Sequence, residues 1–535
     1  LIFIMKRLFL NISLLSIVAV TTFSCRDAID IIQDGELTNE QAFQTTDDLD
    51  KFLQGSVYNS LDRMDQFAFT SQFTDEVGIG PSNSSISNAG THQFVLDVTN
   101  GFASAIWLND YYTINRVNRL LEGAASITPA SSTQLTRYKS IIAEARAIRA
   151  LTYLDLLSYF STNMKDPNAL GVILQTKVPT LQDKPQRSSN SEIFKLIEED
   201  LNFAEQNVDQ AASNYLYITK NAINATRARY FTYRGDYVNA KIYAQKVISE
   251  SGLALVASTP VPTGTAGSTA WWTSLNAYAS TNPYVKMWND SSRGEVIFGI
   301  SRPLVGSVGL VTPSIGSAGN MATMYTTNSS TYNGSVSWDM GRNLFNILDA
   351  SPGDIRRYAY LDVTSRIDPN YLTSTTYKTS DGLIIKKYPG KYTGTLLLRN
   401  DIKVFRLSEM YLILAECAAS QNDAIGVATN LKLIRDARSY TGATSLPQYA
   451  NITDAWKDIM KERRVELSFE GHRYVDLKRL GKIANVAIDR SVVDDFAKTY
   501  PLTIPIDDYR FTLPIPRSEL QGNPTIQQNP GYINQ

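Results

Sequence analysis

Apolar positions along most of this chain recur with the period of a helix. Ile142, Arg146, Arg149, Tyr153, Leu156 and Phe160 fall on one face at that spacing. Val404, Leu407, Tyr411, Leu414, Ala415 and Ala418 do the same. Leu412 and Ile413 make that second helix apolar on most sides, so it is expected at the centre of the molecule.

The stretch 218–251, "ITKNAINATRARYFTYRGDYVNAKIYAQKVISES", joins two helical patterns at Gly235-Asp236. After that turn, Ala240 and Ala244 present small side chains that let two antiparallel helices approach closely. The pattern is that of a tetratricopeptide-type hairpin. Looser versions occur around 141–160, 404–438 and 453–480, at irregular spacing that excludes a regular solenoid. The expected fold class is mainly α: a tetratricopeptide-like helical-hairpin scaffold with long irregular loops and minor β structure.

Residues 252–345 break the period. They are rich in Gly, Ser, Thr and Ala, and they hold Trp271, Trp272, Trp288 and Trp338 together with Tyr278, Tyr284, Tyr325 and Tyr332. The run Glu295–Ile300 reads as a strand. A long irregular excursion from a rigid body is where binding residues are expected.

A different break occurs in "KERRVELSFEGHRYVDLKRLG", residues 461–481. The apolar face of the helix entering from Ile452 runs through Ala455, Trp456, Ile459 and Met460, and its period then calls for positions 463, 466, 467 and 470. Arg463, Glu466, Leu467 and Glu470 stand there. Charges facing inward must be paired. Arg463 and Glu466, three apart, can meet on one face. Arg406, Glu409 and Glu416, and Glu144, Arg146 and Arg149, repeat the pattern. A structural network of arginines and glutamates is therefore expected rather than a catalytic cluster. His472, beside Gly471, marks a helix break.

Composition adds bounds. The chain has 535 residues, is 43% hydrophobic and carries a net charge of −1. That is enough apolar sequence for a large core, and the charge balance argues against a nucleic-acid partner. With 2 cysteines and 2 histidines, no disulfide framework or Cys/His metal set is available. No metal or cofactor is expected. Cys417 lies in an apolar helical run and is expected as a buried, inert thiol. No H-E-x-x-H, G-x-S-x-G or P-loop is present, and Gly78-x-Gly80 lacks the third glycine of a dinucleotide loop.

The N-terminus has the anatomy of an export signal. Lys6 and Arg7 follow Met5, and Leu8–Val20 is mostly apolar but too short to span a membrane. It ends at Thr22-Phe23-Ser24-Cys25, a small residue before a cysteine, as in a bacterial lipobox, although Thr22 and Phe23 depart from the usual aliphatic and small residues. Residues 1–24 read as a lipoprotein signal peptide and 25–37 as a lipidated tether. Cys25 is the expected lipidation site; the other reading is a plain cleaved signal that leaves a free thiol.

Taken together, "TNEQAFQTTDDLDKFLQGSVYNSL" (38–61), "AEARAIRALTYLDLLSYF" (143–160), "FRLSEMYLILAEC" (405–417), the segment 461–481 and "LPIPRSELQGNPTIQQNPGY" (513–532) resemble, in order, the SusD/RagB family of outer-membrane nutrient-binding lipoproteins. The last of these carries Pro514, Pro516, Pro524 and Pro530 and is expected to be an extended, non-helical strap tying down the C-terminus. The resemblance implies a single SusD-like domain over 38–535, with a ligand-facing excursion at about 252–400. It implies a non-catalytic protein, lipid-anchored in the outer membrane and facing the cell exterior. Such a protein captures glycans, or less often peptides, for a SusC-like TonB-dependent transporter.

A glycan site needs flat rings for the C–H faces of sugars, and amide or charged groups for the hydroxyls. The segments "WWTSLNAYASTNPYVKMWNDSSR" (271–293) and "SWDMGRN" (337–343) have that composition. Trp271, Trp272, Tyr278, Tyr284, Trp288, Trp338 and Arg342 are the expected ligand-binding residues, presented to solvent, and "FTDEVGIGPSNSS" (73–85) is a polar loop bordering them. Core packing is the competing role for each ring, and for Trp107 it is the preferred one. Three other functions remain open: an envelope assembly scaffold binding protein partners, a glycoside hydrolase lipoprotein working through two carboxylates, and a peptide-binding member of the same family.

Overall fold

The computed structural model describes residues 42–81, 90–180, 182–302, 336–391, 399–495 and 500–533. The export signal, Cys25, Tyr325 and Tyr332 lie outside them. Among the described residues, no helix is long and apolar enough to cross a membrane.

Helix α1 (Thr46–Phe52) starts at a capping box: the Thr45 hydroxyl accepts from the Asp48 N–H, and the Asp48 carboxylate accepts from the Thr45 N–H. A π-helical turn (Leu53–Tyr58), α2 (Met64–Phe73) and the short strand β1 (Val77–Ile79) follow. The long helices α3 (Gly101–Ala124) and α4 (Ser132–Phe160) pack together. A ribbon of β2 (Leu170–Ile173) and β3 (Arg187–Ser189) then leads into α5 (Asn190–Asn207), which returns along α4.

The expected hairpin is α6 (Lys220–Arg234) and α7 (Tyr237–Glu250). Gly235 turns the chain in the left-handed region at φ 77°. Ala240 and Ala244 are fully buried. They bring α7 close to α6 and to the later helix Leu407–Ser420.

Among its described residues, the middle segment with the stretch that follows it is less irregular than its composition suggests. It contains α8 (Thr269–Leu275), α9 (Pro283–Trp288), β4 (Val296–Ile300), β5 (Trp338–Met340), α10 (Arg342–Asp349), α11 (Ile355–Ala359) and α12 (Tyr377–Ser380). Strand β6 (Ile402–Arg406) returns the chain to the body, followed by α13 (Leu407–Ser420), α14 (Ala424–Arg438), α15 (Ile452–Glu466), α16 (Arg473–Ala484) and α17 (Arg517–Gly522). The described strands form three antiparallel pairs: β1–β5, β2–β3 and β4–β6.

Two local expectations are corrected. Val404 lies on β6, not on the helix that begins at Leu407. Residues 402–406 pair with β4, with Ile300 opposite Ile402 and Val296 opposite Arg406, and are buried throughout. Cross-strand pairing overrides a helical period only one turn long. The C-terminal strap is interrupted by α17, with Pro516 just before its first turn, where a missing N–H costs nothing. The strap does tie the terminus down: Arg187 donates to Gln527 O and Asn529 Oδ1, and the Leu513 N–H donates to Tyr159 O.

The inward charges form a buried network. The Glu466 carboxylate accepts from Arg356 at 3.0 Å, Arg406 at 2.7 Å and Arg438 at 2.8 Å. Glu295 accepts from Arg406 and Arg438, each at 2.8 Å. Glu470 takes Arg406 at 2.8 Å and Lys387 at 2.7 Å. Burial opposes ionisation of Glu466, but Arg438 and Arg406 outweigh it and hold the carboxyl well below the usual range. Arg463 does not meet Glu466. Its Nε donates to Asp476 at 2.7 Å and it pairs with Glu416 at 3.2 Å, because each residue finds a partner across the helix interface rather than along its own helix.

The break at Gly471 separates α15 from α16. His472 is buried there, and burial together with Arg229 holds its imidazole neutral, well below the usual range. Cys417 is buried and free, its thiol pushed up to about 12 by burial and by Glu416.

Candidate functional site

The residues expected to form one solvent-facing platform fall into three separate clusters. On α8, the Trp271 indole N–H donates to Pro262 O and that of Trp272 to Tyr358 O, each at 2.8 Å. Both rings meet Tyr358 edge-on, at 5.0 and 5.4 Å. On α9, Tyr284 and Trp288 close over the charge network. The Tyr284 hydroxyl lies 2.7 Å from that of Tyr360, and the Trp288 ring receives Lys387 at 4.3 Å and Arg406 at 5.2 Å.

All four of these rings are buried, as is Trp338. The expectation of an open platform made by Trp271, Trp272, Tyr284, Trp288, Trp338 and Arg342 is therefore corrected. Short elements joined by long loops need large apolar anchors, and the backbone carbonyls around them use up two of the indole donors. Only Tyr278 of the expected set is exposed, at 41%. Trp107 is in the core, as expected, its indole N–H donating to Glu519 at 3.1 Å.

The third cluster joins parts of the sequence that were expected to border one another. Strand β1, from the segment 73–85, pairs with β5, from 337–343, with Gly78 opposite Asp339 and Ile79 opposite Trp338. The two glycines have a reason. A Cβ on Gly80 would stand 2.5 Å from Val336 O, and one on Gly78 would stand 3.0 Å from carboxylate oxygens of both Asp339 and Asp494. Residues 82–85 of that loop lie outside the described residues.

Trp338 packs against His92, whose ring nitrogen is 3.3 Å from Val77 O. Arg342, at the start of α10, pairs with Asp381 and lies 3.8 Å below the ring of Tyr371. Its main-chain N–H donates to Asp494 at 2.9 Å. Lys378 donates to Ile79 O at 2.9 Å and lies 5.1 Å from the Tyr377 ring.

This rim is the candidate site because its groups are only partly withdrawn from water. Tyr371, Tyr377, Lys378 and Asp339 are half-buried. Burial pushes the Asp339 carboxyl up to about 7, with Lys378 opposing and Asp494 adding to the shift. Burial likewise lifts Asp494 to about 6. Rings, a cation and the half-buried Asp339 carboxyl stand side by side, the set a polyhydroxylated ligand requires. Among the described residues no group of His, Cys, Asp and Glu is arranged to hold a metal ion.

The scaffold fixes the rim. Asp75, just before β1, accepts from two Arg473 nitrogens, Nε and Nη2, each at 2.8 Å, and the Phe469 N–H donates to Glu76 at 3.1 Å. The charged segment 461–481 thus clamps the strand that carries the rim. Tyr371, Tyr377 and Lys378 were not singled out in the sequence; the stretch "YLTSTTYKTSDG" (371–382) offered only isolated tyrosines among hydroxyl residues.

The SusD family's sequence profile matches residues 321–532. A SusD-like protein from Formosa agariphila, P2, is 24% identical over 538 residues, covering 93% of this chain and 95% of its own length. A SusD superfamily crystal structure from Bacteroides thetaiotaomicron superposes with a TM-score of 0.69 at 23% identity, covering 91% of this chain and 100% of the other. Over residues 321–532 the chain matches the SusD family, and along most of its length it is similar to SusD-like proteins.

A laminarin-binding SusD-like protein shares the fold, with a TM-score of 0.63 at 22% identity over 92% of this chain and 100% of that one. The profile match over 321–532 includes β5, α10, the 371–382 segment and the charged helices, while β1, Asp75 and Glu76 lie outside it.

Proposed function

We propose that this SusD-family chain captures glycans at the cell surface without altering them, and hands them to a SusC-like TonB-dependent transporter. Residues 38–535 act as one unit with 252–400 facing the ligand, and a lipid on Cys25 holds the protein to the outer membrane. The observation that carries the reading is the full-length likeness to SusD-like proteins, one of which binds laminarin. The rim supports it by chemistry. Tyr371 and Tyr377 offer ring faces, while Asp339 and Lys378 are placed for hydroxyls, with Trp338 and Arg342 fixing the floor. Trp271, Trp272, Tyr284 and Trp288 serve packing.

A hydrolase would need two available carboxyls. Asp339 and Asp494 approach one another around Gly78, but both Asp494 oxygens already accept main-chain N–H groups, from Arg342 and Ser491. That favours binding over turnover.

The test is retardation of the mature protein in gels containing laminarin and a panel of other polysaccharides, with product analysis alongside. Retention with no released product supports the reading. Failure to retain any polysaccharide, or release of product, overturns it. Membrane fractionation of Cys25→Ala checks the anchor: the variant is expected in the soluble fraction.

A further inference from the structure

Away from the rim, the C-terminal end of α4, the end of α6 and the face of α16 enclose a cavity of about 350 Å³. Lys165, Lys478, Arg479 and Lys482 line it, and no carboxylate does.

The four cations are compensated unequally. Arg479 is held by Glu416, at 2.5 and 2.7 Å, and by Asp476 at 2.9 Å. Arg463 shares the same two acids, so these charges balance. Lys478 donates to main-chain oxygens instead, Ser158 O at 3.0 Å and Ser161 O at 2.6 Å. Carbonyls at a helix end carry only partial charge. Burial accordingly pushes the Lys478 ammonium down to about 7. The stem of Lys165 lies along Gly235, its carbons 3.5 Å from where a Cβ would stand, which fixes it over the α6–α7 turn. Lys482 is exposed at the mouth.

The rest of the lining is amphipathic. Met164, Tyr233 and Val475 form a buried apolar wall, and Ile483 beside them is 45% exposed. Thr162 and Asn163 add an exposed hydroxyl and amide. Capping of α4 accounts for Lys478, but not for two further lysines or for an exposed isoleucine at the opening.

We propose that this cavity is a second ligand site, and that it takes a single acidic sugar residue, a uronate. The carboxylate sits among Lys165, Lys478 and Lys482. The C–H face of the ring lies on Met164, Val475 and Ile483, and its hydroxyls meet Thr162 and Asn163. The site is separate from the rim and stands whether or not the rim retains neutral glycan.

Titration calorimetry of the mature protein with D-glucuronate, D-glucose, acetate and hexaglutamate tests it. Glucuronate is expected to bind, glucose and acetate at least about tenfold more weakly, and binding is expected to weaken in about 0.5 M salt as charge is screened. Lys165→Ala/Lys482→Ala changes two exposed side chains and is expected to weaken glucuronate about tenfold. Lys478→Met should weaken it further; if that variant does not fold, the double variant decides. Tyr371→Ala should leave glucuronate binding unchanged. The proposal is overturned if glucuronate gives no heat, if glucose or acetate binds as tightly, if hexaglutamate binds tighter than glucuronate and so marks an acidic protein partner, or if the double variant binds as the parent does.

Discussion

Glu466 and Asp339 are both carboxylates drawn into the protein, and the molecule treats them oppositely. Glu466 lies at the centre of the helical body, bonded by Arg356, Arg406 and Arg438, and is held well below the usual carboxylate range. Asp339 lies on the rim, opposed by Asp494 and Asp381 as well as supported by Lys378, and rises to about 7. The difference separates two uses of charge. Where every oxygen and guanidinium nitrogen is engaged inside the protein, nothing is left for a ligand and the group holds helices together. Where engagement is partial and water reaches the group, a ligand hydroxyl can complete it.

The largest effect is expected in the helical body. Glu466→Ala leaves three arginines buried around a missing acid and should cost about 3–5 kcal/mol or prevent folding, read from denaturant unfolding. A cost near zero would mean that the network does not hold the helices. Trp288→Ala removes the ring that caps Lys387 and Arg406 and should cost about 3 kcal/mol or more, measured the same way; little change in stability would return that ring to the surface.

The rim responds to pH with a definite sign. The folded carboxyl of Asp339 is raised from 3.8 to about 7, so the folded state binds the proton more tightly than the unfolded chain does. Stability therefore falls as pH rises between those values and levels off above the folded value. Asp339→Asn removes this loss. It should stabilise the protein at pH 8 by on the order of 1–2 kcal/mol, discounted for solvent around a partly exposed group, with the gain gone near pH 4. A gain independent of pH would contradict the assignment.

Much of the body was legible because its logic is periodic. The helical repeat through Ala455, Ile459 and Met460 placed Arg463, Glu466 and Glu470 on the inner face, and all three are buried. Gly235 and the alanines after it announced the hairpin. The exact partners were not legible: whether Arg463 meets Glu466 or Asp476 depends on how helices pack. The middle segment resisted reading for a related reason. Trp271 and Trp288 sit in short elements without enough period to mark an inner face, so composition suggested a sugar platform where the chain needed anchors. The rim was half legible. Both 73–85 and 337–343 stood out, but their adjacency is a strand pairing between distant stretches, and Tyr371 and Tyr377 carry no local signal at all.

The smallest effect on stability falls on the residues expected to matter most for binding. Tyr371→Ala, above a guanidinium already paired with Asp381, should cost about 1 kcal/mol or less. The decisive measurement is the mobility of Tyr371→Ala/Tyr377→Ala in gels containing whichever polysaccharide retards the parent, beside Trp271→Ala checked for folding. The tyrosine variant, still folded, is expected to lose at least about tenfold in retention, on the order of 1.4 kcal/mol, while folded Trp271→Ala is retarded like the parent. Retention unchanged in the tyrosine variant but lost in folded Trp271→Ala would place the ligand on the rings assigned here to packing.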